Sequence, residues 1–301
     1  MRVLVTGGTG MLGSSIKKIF EEDGHELSIF NSKSMDVADY KVCKEKFELI
    51  NPNVVLHLAA KTNVDECELN GDDTYQTNVI GTWNIASLCK EHDILMVYIS
   101  TDGVFDGTKG SYYTEYDQPK PITVYGQSKY EGEKIVQALL EKYFILRAGW
   151  MFGGAEKDFK FVGKILENSQ KSNKLTVVSD KIGSPIYTKD LAVFISKIIY
   201  DKRYGLYHAC NDGMCSRYEF AQKILEFANV KDVKIEPTNS SQFKTIAERP
   251  AMTPIKNYNI ILQGQENLRT WQEALKEYIE EYFIKGESNE DSHNSKEVCT
   301  F

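Results

Sequence analysis

The sequence has no apolar run near the roughly 20 residues that a membrane-spanning helix needs, which excludes a helical membrane protein from the expected classes. Its opening residues, Met1-Arg2-Val3-Leu4-Val5-Thr6, pass straight into a glycine turn. They lack the charged start, apolar core and small-residue cleavage site of a secretory signal. Clustered lysine and arginine are missing too. With a net charge of −7 and no basic tract, nucleic acid is not an expected partner. The six cysteines, Cys43, Cys67, Cys89, Cys210, Cys215 and Cys299, are scattered, and none forms a CxxC pair. Cys210 and Cys215 lie closest together, without the second pair or histidine cluster that completes a zinc site. They read as reduced structural thiols of a cytoplasmic protein. Asp65, Glu66 and Glu68 are the one acidic group with a claim on Mg2+, and they read instead as a solvated face, so no metal site is expected.

What is present is a balanced globular composition, 42% hydrophobic and 26% charged. Short apolar runs alternate with amphipathic stretches. Strands are predicted at Val3 to Val5, Glu26 to Phe30, Val54 to Leu58, Ile94 to Ile99 and Phe144 to Arg147. Helices are predicted at Leu12 to Glu22, Lys41 to Ile50, Thr74 to Lys90 and Val124 to Glu141. Two-sided apolar strands in regular alternation with helices specify an α/β fold, a Rossmann-like doubly wound parallel sheet. After Gly149 the pattern loosens. Helices fit Phe159 to Ser169, Thr188 to Tyr200, Arg217 to Phe227 and Thr270 to Tyr282, with extended pieces at Leu175 to Val178 and Leu206 to His208. This suits a smaller C-terminal lobe beside the carboxyl edge of the sheet. The expected division is a nucleotide-binding domain over 1–149 with parts of 150–215, a mostly substrate-binding lobe over 150–285, and a mobile polar tail over 286–301.

The first strand ends in Thr6-Gly7-Gly8-Thr9-Gly10-Met11-Leu12-Gly13. Gly8, Gly10 and Gly13 satisfy G-x-G-x-x-G, and Gly7, Gly10 and Gly13 satisfy G-x-x-G-x-x-G. Glycine suits this place because the turn is tight, the backbone must approach a pyrophosphate, and the helix must pack close to the strand. The helix N-terminus then faces the phosphates with free N–H groups. NAD-selective sites commonly carry an acid at the end of the second strand. Here that strand ends Ile29-Phe30-Asn31-Ser32-Lys33, where Ser32 and Lys33 would meet a 2′-phosphate. NADPH is therefore the expected cofactor and NADH the alternative, with Asp36 and Val37 placed to cap the adenine edge.

Ser100-Thr101-Asp102 follows the fourth predicted strand, at the sheet edge where ligands bind in such folds. Tyr125 and Lys129 are four residues apart and share one helix face. A lysine ammonium there stabilises the phenolate and orients the cofactor ribose. The tyrosine then exchanges a proton with a carbonyl oxygen. Thr101 offers its hydroxyl to the same oxygen. His57 lies in an apolar strand and reads as packed core, and Tyr112 and Tyr113 read as loop packing.

The glycine turn, Ser100-Thr101-Asp102 and Tyr125-x-x-x-Lys129 resemble the extended short-chain dehydrogenases/reductases. Several segments resemble the dTDP-4-dehydrorhamnose reductase family within them: Leu58 to Asp65, Ser100 to Gly107, Val124 to Lys134, Arg147 to Phe152, Ile182 to Pro185 with Thr188 to Ala192, and Arg249-Pro250. The likeness covers roughly residues 1 to 285. It implies NADPH-dependent reduction of a nucleotide-linked 4-keto-6-deoxy sugar, with Thr101, Tyr125 and Lys129 carrying catalysis. It also implies that Gly7, Gly10, Met11, Leu12, Gly13, Asn31, Leu58, Ala59, Ala60 and Asn78 border the cofactor. Asp102, Gly103, Trp150 and Arg249 would meet the sugar nucleotide, with Arg249 at its diphosphate. A homodimer is one assembly left open.

Two positions depart from the family pattern. Gly103 stands where the family has tyrosine, and Phe152 where tyrosine is common, so the sugar itself stays open. Sugar-nucleotide dehydratases carry Asp-Glu after the threonine as general acid and base; here Asp102 is followed by Gly103, so that mechanism lacks its base. An epimerase and a non-catalytic NADP-binding regulatory subunit are the competing readings.

Overall fold

The computed structural model of the protein describes residues 1–155, 158 and 160–284. In chain order the principal elements are β1 (Arg2–Thr6), α1 (Met11–Glu22), β2 (Glu26–Phe30), α2 (Tyr40–Ile50), β3 (Val54–His57), α3 (Val64–Leu69), α4 (Gly71–Tyr75), α5 (Gly81–Glu91), β4 (Leu95–Thr101), α6 (Val124–Leu139), β5 (Tyr143–Ala148) and β6 (Trp150–Phe152). They continue with α7 (Phe161–Lys171), β7 (Lys174–Val178), β8 (Ile182–Gly183), β9 (Pro185–Tyr187), α8 (Thr188–Ile198), β10 (Gly205–Ala209), β11 (Cys215–Ser216), α9 (Arg217–Phe227), β12 (Lys234–Thr238), α10 (Tyr258–Leu262) and α11 (Trp271–Ile279).

Six strands form one parallel sheet in the order β10-β5-β4-β3-β1-β2. This is the doubly wound arrangement expected from the alternation of elements. Successive side chains of each strand point to opposite faces, and both faces are covered. Val3, Val5, Leu56, Val97 and Leu146 pack with α1 and α8 on one side. Leu4, Val55, Met96, Tyr98 and Ile145 pack with residues of α2, α5 and α6 on the other. The strand order reverses between β1 and β3. The chain therefore leaves their carboxyl ends toward opposite faces and opens a crevice, the place where such sheets bind ligands.

The C-terminal half is shared between two places. β10 returns to the sheet as its outer strand, and α8 packs along α1. A separate core of Phe152, Ile165, Tyr187, Phe220, Trp271 and Tyr278 holds α7, α9 and α11 together. The paired strands β6–β9, β7–β12 and β8–β11 accompany it.

Three differences from the sequence reading have physical causes. The helix expected over Thr74 to Lys90 begins earlier and contains a π turn at Gln76–Ile80 between α4 and α5. Gly81, where α5 resumes, fits closely over Val37, since a Cβ there would lie 2.5 Å from Val37 Cγ2. The helix α3 was not expected. It is six residues long, with its start marked by the Asn63 cap on the Glu66 N–H. The short strands β6, β8, β9 and β11 span two or three residues each, too few to show periodicity. The tail expected over 286–301, with Cys299, lies outside the described residues.

Candidate active site

A cleft of about 1040 Å³ opens at the carboxyl edge of the sheet, at the top of the roughly 300–1,000 Å³ range of small-molecule pockets. Gly7, Gly10, Met11, Leu12 and Gly13 line one end, with Leu58, Ala59 and Ala60 beside them. Thr101, Tyr125 and Lys129 line it as well, and so do Trp150 and Arg249. Thirteen residues singled out from sequence thus border one cavity.

The glycine turn is built for a group pressed against backbone. Gly7 has φ +64°, and a Cβ there would lie 2.6 Å from the Ala59 backbone. A Cβ on Gly13 would lie 2.0 Å from the Gly8 carbonyl oxygen. At the start of α1, Gly10 takes the N-cap position with no side-chain cap. The first N–H groups of the helix are therefore left for a ligand. Bare backbone donors, a helix N-terminus and no room for side chains fit the pyrophosphate of a dinucleotide.

The end of β2 behaves differently. Asn31, Ser32 and Asp36 do not line the cleft. Asn31 Oδ1 accepts from the N–H groups of Lys33 and Ser34, both at 3.0 Å, which shapes a turn that leaves Ser32 and Lys33 exposed. Asp36 accepts from the Ala38 N–H. Val37, expected at the adenine edge, is buried in the core against Gly81 instead.

Thr101 ends β4. Its hydroxyl accepts from the Gly103 N–H at 3.0 Å and donates to Asp102 Oδ1 at 3.2 Å. Asp102 Oδ2 accepts from the Thr253 hydroxyl at 2.9 Å. Burial pushes the Asp102 carboxyl up to about 6, against these two hydrogen bonds. Neither Asp102 nor Gly103 lines the cleft itself. A Cβ on Gly103 would lie 3.3 Å from Thr101 Oγ1 and 3.8 Å from Tyr125 Cδ1, so glycine keeps the space beside both groups clear.

Helix α6 carries Tyr125 and Lys129, and its start is fixed by Thr123, whose hydroxyl accepts from the Gly126 N–H at 3.0 Å. Burial raises the Tyr125 phenol to about 12 against the pull of a Thr101 hydrogen bond, and Asp102 and Cys67 add to the rise. Lys129 is not among the groups that move it. Lys129 is itself 3% exposed and is driven down to about 7 by burial, with the Glu133 charge acting the other way. Asn78, expected near the cofactor, is fully buried behind the cleft wall. It brackets the Lys61 backbone through Oδ1 and Nδ2, and its Nδ2 also donates to Ser128 Oγ at 2.9 Å.

His57 is the buried core residue that its strand suggested, with its imidazole held down to about 3 by burial. Its tautomer follows from its neighbours. The Thr82 hydroxyl gives its proton to the Asn78 carbonyl, so it accepts from His57 Nε2 at 3.1 Å. Nδ1 then accepts from the Thr6 hydroxyl at 2.7 Å.

The cleft wall also carries cations. Lys160, Lys164, Arg217 and Arg249 line it, and Asp65 is its described acid near Arg249. The Arg249 Nη2 lies 2.9 Å from Asp65 Oδ2. Asp65 also accepts from the Ala247 N–H, so its carboxylate is occupied rather than freely solvated. The Arg217 guanidinium lies 3.5 Å over the Trp150 ring and 4.7 Å over Phe161. Gly183 makes room beneath, since a Cβ there would sit 2.3 Å from Trp150. Sequence reasoning missed Arg217. A signal was present: the Ser216/Glu219 capping box starts α9, and a cation in the first turn opposes the helix dipole. Such a residue asks for another purpose.

Among the described residues, no group of three His, Cys, Asp or Glu side chains is placed to hold a metal ion. No described helix is long and apolar enough to cross a membrane.

The family model described as the RmlD substrate binding domain matches residues 1–284. The spore coat polysaccharide biosynthesis protein SpsK of Bacillus subtilis is 35% identical over 280 residues, covering 93% of this chain and 97% of that protein. The dTDP-4-dehydrorhamnose reductase of Aggregatibacter actinomycetemcomitans is 33% identical over 287 residues, covering 91% of this chain and 97% of that one. The crystal structure of dTDP-4-dehydrorhamnose reductase from Bacillus anthracis in complex with NADP superposes with a TM-score of 0.88 at 36% identity, covering 94% of this chain and 99% of that one.

Proposed function

This chain belongs to the RmlD substrate binding domain family, and from that premise we propose that it reduces the 4-keto group of a dTDP-linked 4-dehydro-6-deoxy sugar with NADPH. It is an oxidoreductase of the extended short-chain dehydrogenase/reductase type. The observation that carries the substrate reading is the set of groups that line one cleft: bare glycine backbone, Thr101 with Tyr125 and Lys129, and the cations Lys160, Lys164, Arg217 and Arg249.

When bound, the nicotinamide cofactor supplies hydride to the keto carbon. The chain's own residues do the rest. Tyr125, held as a neutral phenol, gives its proton to the oxygen that gains charge. Thr101 turns its hydroxyl from Asp102 to the same oxygen. Lys129 holds the cofactor ribose and replenishes charge balance beside Tyr125. Gly7, Gly10 and Gly13 admit the pyrophosphate of the cofactor, and exposed Ser32 and Lys33 favour a 2′-phosphate. NADH is the secondary donor. Trp150 floors the sugar, while Arg217 and Arg249 take up the diphosphate charge, Arg249 by exchanging its bond to Asp65.

An epimerase would need a second acid–base residue beside the sugar. No described residue lining the cleft is a histidine or cysteine. The five described cysteines are buried and unpaired, which suits a reducing compartment, and we place the protein in the cytoplasm.

The test is NADPH oxidation in the presence of the dTDP-linked 4-keto sugar, with Tyr125→Phe in parallel. The wild-type protein is expected to turn over, and the variant to lose about 10²–10⁴-fold in rate. Equal rates in the two proteins would remove Tyr125 as proton donor. No oxidation with any nucleotide-linked 4-keto sugar would overturn the reaction.

A further inference from the structure

Lys129 faces an electrostatic difficulty that its place in the mechanism makes acute. The residue is buried but for its place in the cleft wall, and burial of that kind drives a lysine to lose its proton. Its near carboxylate is Glu133, one helical turn on. Both Glu133 oxygens are committed to Arg147, with Nε 2.9 Å from Oε1 and Nη2 2.7 Å from Oε2, and Ser100 donates to Oε1 as well. Glu133 is therefore a carboxylate already neutralised by another cation.

The group beneath the ammonium is aromatic. Lys129 Nζ stands 4.1 Å over the ring centroid of Tyr98, a fully buried residue of β4 three positions before Thr101. The Tyr98 hydroxyl donates to the Lys129 carbonyl at 3.2 Å. Space for that hydroxyl comes from Gly132, where a Cβ would lie 2.2 Å from Tyr98 Oη. Burial holds the phenol well above its ordinary range, so the hydroxyl is a permanent donor. His57 also stacks on this ring, at 5.8 Å with an interplanar angle of 21°. It is neutral, so it adds no second cation to the stack.

We infer that Tyr98 is a positioning residue for Lys129, seating the ammonium on the negative face of its ring and pinning the helix through its hydroxyl. The function assigned to the seat, a charged Lys129 ready for cofactor and substrate, rests on the reductase reading above. The negative face of a ring stabilises a cation most where water is absent. Tyr98 thus favours the ammonium over the amine at a place where burial favours the amine. The groups that face Lys129 are Glu133 and Tyr125 on α6, Tyr98 on β4, His57 on β3, Arg147 on β5 through Glu133, and, past Tyr125, Cys67 on α3 and Asp102. The Tyr98 ring stands directly against the ammonium, and among the described residues no other cation lies over that ring.

The test reads Lys129 directly, in protein free of cofactor and sugar. Lysines are labelled with ¹³C at Cε, the Lys129 signal is assigned through Lys129→Arg, and its titration midpoint is followed by NMR. Tyr98→Phe keeps the ring and is expected to leave the midpoint within a few tenths of a pH unit. Phenylalanine carrying one, two or three ring fluorines at position 98 keeps the shape while draining the ring face. The midpoint is expected to fall stepwise, by about one pH unit in all. Tyr98→Leu should lower it at least as far and move the basic limb of the activity profile down with it. A midpoint indifferent to fluorination overturns the seat, whether or not Tyr98→Leu folds. Turnover of the wild-type protein is scored separately. A falling midpoint without turnover would count against the proposed reaction and leave the seat standing.

Discussion

Arg147 and Glu133 face each other fork to fork at the back of the active site, Arg147 3% and Glu133 1% exposed as side chains. The pair joins β5 to α6, the helix that carries Tyr125 and Lys129. Two parallel charge-assisted hydrogen bonds fix the helix against rotation as well as translation. A buried pair of this kind is weak support for stability in itself, but breaking it strands a charge.

Arg147→Met is therefore expected to destabilise the fold by about 3–5 kcal/mol. The double variant Arg147→Met with Glu133→Leu should recover most of that loss, because no charge is left in the interior. Urea denaturation of the three proteins checks this. A double variant as unstable as Arg147→Met would show that packing around Phe105, over which Arg147 lies at 5.2 Å, matters more than the charges.

Asp102 gives the stability a pH dependence of stated sign. Its carboxyl is raised to about 6 by burial, so the folded chain holds that proton more tightly than the unfolded chain, whose carboxyl titrates near 4. The folded state thus binds more protons between those values, and the contribution of Asp102 to stability falls as pH rises through this window. Above about 6 the loss is complete, at an order of 2–3 kcal/mol. Asp102→Asn removes the titration. Its stability relative to the parent should rise between pH 4 and 6 (roughly the two titration points), as read by denaturation at fixed temperature. A constant difference across that window would mean that Asp102 ionises as an ordinary carboxylate.

Arg217 separates a charge role from a stacking role. Its guanidinium lies flat on Trp150, a geometry that a lysine ammonium cannot reproduce. Arg217→Lys keeps the charge, yet it is expected to raise KM for the sugar nucleotide by about 10-fold with kcat little changed, since stacking and two-point phosphate contact are both lost. Arg217→Met should raise KM further. Steady-state kinetics at saturating NADPH distinguish the two. Full activity in Arg217→Lys would reduce the residue to a local positive charge.

The sequence carried the sheet and the centre of the site because both rest on local rules. Val3 to Val5 announces a strand by two-sided apolar content and Glu26 to Phe30 by apolar residues between turns, and Gly10 and Gly13 answer to contacts within one strand–turn–helix unit. Tyr125 and Lys129 meet because a helix repeats every 3.6 residues. What stayed hidden depends on distant partners. Arg217 matters through Trp150, which is 67 positions away in the chain. Val37 turned inward because Gly81 leaves it room. Gly132 owes its place in α6 to the Tyr98 hydroxyl, an atom of another element that fills the space a side chain would take. The strand β12 escaped notice because Lys234, Glu236 and Pro237 break any apolar alternation, and its pairing with β7 supplies the order that its composition does not.

The outer strand β10 comes from the far half of the chain, after β9 and α8 have already visited the lobe and come back. The polypeptide is sewn rather than strung, and no single cut yields a finished half. Cleaving after Gly149 would leave β5 as a bare edge of apolar residues, an invitation to intermolecular pairing. It would also strip α8 from the face of α1. Swapping the substrate-recognising portion between relatives by simple fusion should therefore yield insoluble chains. Exchange would succeed only as a set of separate grafts, each ending where the thread re-enters the sheet.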